Sequence, residues 1–301
     1  MSINTLTASW QAARRRRESN SFLAITWRRF VKHRMSLFGL FTLLILIGAA
    51  IVAPFITQDP TRLDLSEAVR LKPPSAEHWF GTDHLGRDVL ARSLNGARIS
   101  IAVGFIATAI AIGVGVLVGS LAGYYGGLPD NLLMRLVDLV LSLPIIFVII
   151  VLQTVVARPS IFNVMIVIGA TSWMGTARIV RGQILKERET EYILAAHALG
   201  SSPGWIILRH LLPNVIGPVI VAASLRVGQA IITEAALSFI GFGVQPPATS
   251  WGLMLSEARD YLATGPWIAI FPGLMLSLTV LSFNFVGDGL TSALNPHEYV
   301  R

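Results

Sequence analysis

The stretch Glu191–Asn214, "EYILAAHALGSSPGWIILRHLLPN", lies between two strongly apolar segments and belongs to neither class around it. It is too polar and too often interrupted to cross a bilayer, yet too apolar for a solvated loop. Its punctuation predicts two short helices. Gly200 suits a helix stop, since glycine takes the left-handed cap conformation without steric cost. Ser202 is placed to cap the next helix and Pro203 to occupy its first turn. That second helix, near 203–212, carries Trp205, Ile206, Leu208 and Arg209 and is expected to end at Pro213. Ala195, Ala196 and Gly200 put small side chains where another surface could approach the backbone. Two short amphipathic helices of this kind form either an interfacial membrane anchor or a docking knob, and physics alone does not choose between them.

The surrounding composition is that of a membrane protein. Of 301 residues 53% are hydrophobic and 14% charged, against about 25% charged in soluble domains, and the mean hydropathy is +0.64. Runs near 20 apolar residues mark spans, and six are predicted, near 36–57, 98–122, 132–156, 161–179, 214–239 and 266–290. The fold class is therefore all-α and polytopic, with about six transmembrane helices. The first run is too long for a cleavable signal and shows no small-residue cleavage site, so it is expected to stay as an anchor. With no cysteine in the chain, disulfides, thiol nucleophiles and thiolate metal sites are excluded.

Charge placement gives orientation. The net charge of +7 lies in short segments flanking apolar runs, including "ARRRRE" and "WRRFVKHR" before the first span, so the positive-inside rule accounts for it and a nucleic-acid partner is not needed. The division that follows is a cytoplasmic basic tail (1–35), a first anchor helix (36–57), an external loop (58–97), a core of spans (98–290) and a cytoplasmic carboxyl-terminal tail (291–301). The interrupted segment, taken broadly as 185–213, falls inside. The external loop resists the rule with Arg62, Arg70, Lys72, Arg87 and Arg92, although acids balance them.

The pattern "AAHALG", nine residues, then "HLLP" resembles the EAA motif of binding-protein-dependent ABC transporter permeases, in which two small residues precede a glycine and then a leucine-proline pair. It departs from that motif at Leu194, where glutamate is usual, and at His210. Four further blocks resemble the dipeptide, oligopeptide and nickel permeases: "HWFGTDHLGRDVLARSLNGARISIAVG" (78–104), "AGYYGGLPDNLLMRLVDLVLSLP" (122–144), "ALSFIGFGVQPPATSWGLML" (236–255) and "FNFVGDGLTSALNP" (283–296). With the first, they run from the first span to the carboxyl terminus. The resemblance implies the MetI-like permease fold and a plasma-membrane (inner-membrane) chain forming half of a peptide pathway. It implies a homologous second permease, two ATPase subunits carrying ATP and Mg, and an external solute-binding protein. It also makes 191–212 a coupling helix. Ala195, Ala196 and Gly200 would then permit close approach, Trp205, Ile206 and Leu208 would anchor in the ATPase, and Arg209 would form a rim contact. The alternative is that Ala196 and Gly200 only pack against neighbouring helix ends.

The chain itself is not expected to be an enzyme or to bind a cofactor. It has no G-x-x-x-x-G-K-[ST] loop, and Lys32, Lys72 and Lys186 follow no glycine-rich turn. It has no H-E-x-x-H site, and Asp288 in "VGDG" lacks a second aspartate in comparable surroundings. His78 and His84 share a loop with Asp83 and Asp88, but in no recognised ligand spacing, so no metal is assigned. Import of nickel or another small solute is an alternative cargo; a secondary transporter is the rival class, and it would need neither a docking element nor an ATPase. Charges at membrane depth are functional candidates by default. Arg226, about 12 residues or ~18 Å into the fifth span, and Glu234 are therefore candidates for the translocation pathway, with bonds to neighbouring helices as the plainer reading. Arg135 and Asp138 are spaced to pair on one helix face.

Overall fold

The computed structural model describes residues 22–57, 59–155 and 160–294. The basic run Arg14–Arg17, the terminal segment 295–301 and the loop residues 156–159 lie outside the described residues. All named elements among those described are helical. A short helix α1 (Phe22–Lys32) leads through His33 into α2 (Arg34–Ile56), and after the segment 59–88 comes α3 (Val89–Tyr125). Then follow α4 (Gly127–Leu141), α5 (Ile145–Val155), α6 (Ile161–Ala170), α7 (Met174–Glu187) and α8 (Glu191–Ala198). The chain finishes with α9 (Pro203–Ile206), a π turn (Ile207–Leu211), α10 (Leu212–Phe239), α11 (Trp251–Ala258) and α12 (Trp267–Leu294).

Among the described residues four helices are long and apolar enough to cross a membrane, and six spans result if each of two bent pairs counts as one. Two of the six expected spans correspond to these bent pairs. The run 132–156 bends by 88° between α4 and α5, where "SLP" ends at Pro144, and 161–179 bends by 41° between α6 and α7. Hydropathy counts side chains and is blind to backbone direction, so both breaks read as continuous spans. The helix α3 is 37 residues long and starts at Val89 rather than 98, because Asp88 caps it, its side chain accepting from the Ala91 amide at 2.8 Å. The last nine positions of the expected external loop are therefore helical. Ordered structure also reaches into the amino-terminal tail, where α1 packs on α12, and at the start of α2 Ser36 Oγ donates to the Phe285 carbonyl at 2.7 Å.

Glycine brings α3 into close contact with α7. Gly115, Gly119 and Gly123 recur at four-residue intervals on one face of α3. A Cβ at Gly115 would sit 2.6 Å from Thr176 Cβ, and one at Gly119 2.5 Å from the Ala177 carbonyl oxygen. The "IGVGVLVGSLAG" run thus serves packing inside this chain, as small residues do between membrane helices. Asp130 of α4 accepts from Arg181 Nη2 of α7 at 2.7 Å. Asp138 takes its hydrogen bond from Arg178, so the pairing expected with Arg135 is replaced by one between helices.

Opposite the 191–214 end, residues 59–88 fold into a cap on α11 and α12. Phe80 stacks on Phe271 with ring centroids 3.9 Å apart, and Trp267 Nε1 donates to the Thr82 carbonyl at 3.0 Å. Asp83 is fully buried and accepts from Arg87 Nε and Arg92 Nη1, each at 2.6 Å. The two guanidiniums reach Glu257 of α11 at 2.8 Å. Burial alone would raise the Asp83 carboxyl, but Arg92 and Arg87 outweigh it and hold the group below its ordinary range. His84 stacks on Tyr261 at 4.7 Å, and burial pushes its imidazole down. His78 pairs with Asp88 at 2.8 Å. Among the described residues no three His, Asp or Glu side chains converge as a metal site.

Candidate functional site

The interrupted segment is two helices held rigidly from behind. The first, α8, closes in a Schellman motif: Ser201 N–H bonds the Ala196 carbonyl at 3.1 Å and Gly200 N–H that of His197 at 2.9 Å. This ending requires the left-handed backbone that Gly200 adopts, with φ +78°. Ser202 occupies the next N-cap position without a side-chain capping bond, and Pro203 takes the first turn. The expected stop at Pro213 does not occur. The helix runs on without interruption from Pro203 to Phe239. Proline lacks an N–H and crowds the carbonyl four residues back, and the π turn at 207–211 widens the helix just before it, with Leu212 N–H reaching the Ile207 carbonyl.

One side of this segment is sealed to the bundle. Ile193, Ala196, Ile206, Ile207 and Leu211 join Val180 and Ile184 of α7 in one buried cluster. Arg188 Nη1 donates to the Gly123 carbonyl at the end of α3 at 3.0 Å, a cation at a helix C-terminus. Tyr124 and His197 stack with centroids 5.8 Å apart. The other side is bare. Leu199 is 86% exposed, Leu208 68%, Leu194 57% and Trp205 49%, and Ala195, Gly200 and Arg209 are exposed with them.

The seven residues singled out in the sequence therefore divide. Ala195, Gly200, Trp205, Leu208 and Arg209 share the open surface. Ala196 and Ile206 point into the chain's own core, at 7% and 0% exposure, and are unavailable as contacts; for Ala196 the plainer packing alternative describes its position. Two apolar residues of the open face carry no contact role in the sequence reading: Leu194, which figures there only as a departure from the motif, and Leu199. Leu194 lies on the side of α8 away from Ile193 and Ala196, and Leu199 is the C-cap residue just past that helix.

The two membrane-depth charges also divide. Glu234 is completely buried and accepts from Ser238 Oγ at 2.6 Å, Ser250 Oγ at 2.8 Å and Ser100 Oγ at 3.3 Å. Those three hydroxyls in turn accept from the Val244, Leu253 and Trp251 amides. The carboxylate is thus the hub of a brace joining α3, α10 and the start of α11, and it is enclosed rather than presented to a pathway. Arg226 is only partly buried; its Nη1 donates to the Ser172 carbonyl at the α6–α7 break, and its Nε has no partner among the described residues.

Residues 115–298 match the family described as the binding-protein-dependent transport system inner membrane component. The chain belongs to that family of transport permeases. Residues 21–74 match a second description, the N-terminal transmembrane domain of oligopeptide transport permease C. The permease is 42% identical over 283 residues to the dipeptide transport system permease protein DppC of Bacillus subtilis, covering 93% of this chain and 88% of that protein. It is 40% identical over 269 residues to the oligopeptide permease protein OppC of the same organism, covering 89% and 87%. The glutathione permease protein GsiD of Pectobacterium atrosepticum is 39% identical over 275 residues, covering 90% and 89%. An inward-facing structure of the MetNI methionine ABC transporter superposes with a TM-score of 0.55 at 20% identity, over 67% of this permease and 95% of that chain. At that identity the agreement is one of fold.

Proposed function

We propose that the permease is one of two membrane subunits of an ATP-driven importer of dipeptides or oligopeptides. It forms half of the pathway and docks an ATPase subunit on the face carrying Ala195, Gly200, Trp205, Leu208, Arg209, Leu194 and Leu199. The carrying observation is this apolar face itself: four large side chains stand in the open on a segment whose reverse side is packed solid. Monomeric surfaces rarely gather exposed apolar area this way unless it is an interface. The peptide cargo is supported by the names of the relatives, which are 38–42% identical to the chain. ATP and Mg belong to the partner subunits, selection to an external binding protein, and both termini to the cytoplasm.

The mechanical role follows from continuity. A push on α8 passes through Ile193 and Ala196 to α7, and from α7 through the glycine contacts to α3. A push on α9 enters α10 directly, because the π turn carries the helix past Pro213. Closure of two ATPase subunits would therefore reorient long rods and bias the bundle between inward- and outward-open states. Arg226, bonded only to backbone, is the membrane-depth charge we assign to the pathway.

The test is co-purification from native membranes in mild detergent. The wild-type chain is expected to bring down a second permease and ATPase subunits, whereas Leu199→Asp and Gly200→Arg stay in the membrane, lose the ATPases and lose peptide uptake. Gly200 has open space around it, so the arginine has room and meets mainly backbone strain. ATPase recovery unchanged in both variants would overturn the docking face.

A further inference from the structure

A second feature of the permease lies far from the docking face, near the amino-terminal end of α3. Arg98 is exposed, nine residues or ~14 Å into α3 from Val89, and no hydrogen bond or ion pair to another described residue satisfies it. It stands level with Ile47, Ala50 and Ile51 of α2, five to nine residues before that helix ends at Ile56. An unpaired guanidinium at that depth requires an anionic partner or water.

Arg98 lines a cleft of about 470 Å³ between α3 and α6. Ile99 and Ile106 form one wall, and Ile161, Phe162 and Met165 the other. Asn95 and Thr249 add two neutral polar groups, and among the described residues no carboxylate contributes to the lining. Asn95 spends its amide N–H on the Ala91 carbonyl at 2.9 Å, which leaves its carbonyl oxygen free to accept. An apolar cleft of this size with a few convergent polar groups has the make-up of a small-molecule site.

We infer that this cleft receives the free carboxylate of the translocating peptide, with Arg98 as its counter-charge and Asn95 Oδ1 as acceptor for a peptide N–H. The inference rests on the peptide-importer reading above. Two observations favour this occupant. Among the described residues the cleft is lined by one cation and by no acid. Pro60, Pro247 and Ala248 also line it, from the segments that follow α2 and α10, which the orientation proposed above puts on the side from which cargo arrives. A planar guanidinium matches a carboxylate with two parallel hydrogen bonds.

The test uses the complete transporter in nanodiscs, with p-benzoylphenylalanine in place of Phe162 and tritiated alanyl-phenylalanine supplied on the binding protein. After vanadate trapping and illumination, label is expected on this chain. Arg98→Gln should lower it about tenfold or more, and Arg98→Lys should restore only part of it, since the charge is kept while the two-pronged fork is lost. Subunit stoichiometry serves as the folding control. Equal labelling with Arg98→Gln would overturn the inference, as would capture of labelled phosphatidylglycerol or of the second permease in place of peptide. Import by the unlabelled wild-type complex, run with the dipeptide and with longer peptides, separates the two levels: import without photolabelling refutes only the Arg98 site, and absence of import of all of them refutes the peptide reading with it.

Discussion

Gly119→Ala and Gly113→Ala add the same methyl group to the same helix, six residues apart, and should move stability in opposite directions. At Gly119 the new Cβ would lie 2.5 Å from the Ala177 carbonyl oxygen and 3.1 Å from Ala177 Cα. Both are backbone atoms of α7, so no side-chain rotation relieves them. Carbon–oxygen contact needs roughly another 0.7 Å or more, to the range of ordinary van der Waals contact. The helices must part by that much along a seam that also includes Gly115 and Gly123. Overpacking of this kind costs about 1–3 kcal/mol. At Gly113 nothing lies within 4 Å, so alanine gains only its helix preference, about 0.5–1 kcal/mol. The two variants should then differ by roughly 2–4 kcal/mol, seen as a gap of several degrees in unfolding midpoint. The assay is thermal unfolding of the purified complex in detergent, together with uptake, because the same seam transmits motion. Equal midpoints for the two variants would refute the claim that glycine there is required for contact.

Acidification should loosen the cap with a definite sign. His84 has its pKa lowered by burial, so its contribution to cap stability is complete above the unfolded value near ~6.5 and is lost as pH falls through that region. Asp83, lowered on balance by Arg92 and Arg87, contributes fully above ~4 and loses its share only below it. Limited proteolysis of residues 59–88 from pH 8 to 3 should show both phases, and His84→Phe, which keeps a ring against Tyr261, should remove the upper one. In the Glu234 brace, Glu234→Leu strands three serine hydroxyl hydrogens, at about 1–3 kcal/mol each for an unsatisfied buried group. Glu234→Gln should retain most of the stability, so thermal unfolding should order the three proteins Glu, Gln, Leu.

The spans and the interrupted segment were legible because their signals are local. Twenty apolar residues in a row, or a glycine after "AAHAL" and a proline after "SS", need no knowledge of partners. What was illegible depends on the third dimension. The fourfold glycine spacing on α3 was visible, but only the coordinates show that α7 fills it. Ile206 and Leu208 look alike in sequence, and which of the two turns inward is decided by the phase of α9 against α7. Pro213 read as a terminator because the π turn that bypasses it leaves no compositional trace. Glu234 was recognisable as costly, whereas its three serine partners come from three separate segments. The Arg98 cleft gave no signal, since Arg98 stands in a polar-looking helix entrance and its surroundings are assembled from four regions of the chain.

The cap also has a bearing on how the protein is made. Arg87 meets Glu257 170 positions later in the chain, and Thr82 meets Trp267 185 positions later. Residues 59–88 leave the ribosome long before these partners exist. Until α11 and the start of α12 have crossed, Asp83 and the two arginines have only each other and solvent, and Phe80 has no ring to stack on. Closure of the cap is therefore the last event on that side of the membrane. A nascent chain halted before Glu257 would carry it open to any protease there, whereas a finished chain would not. The cap works in this sense as a mark of late insertion, its ion cluster completed by α11 and its Thr82 contact by the start of the final span.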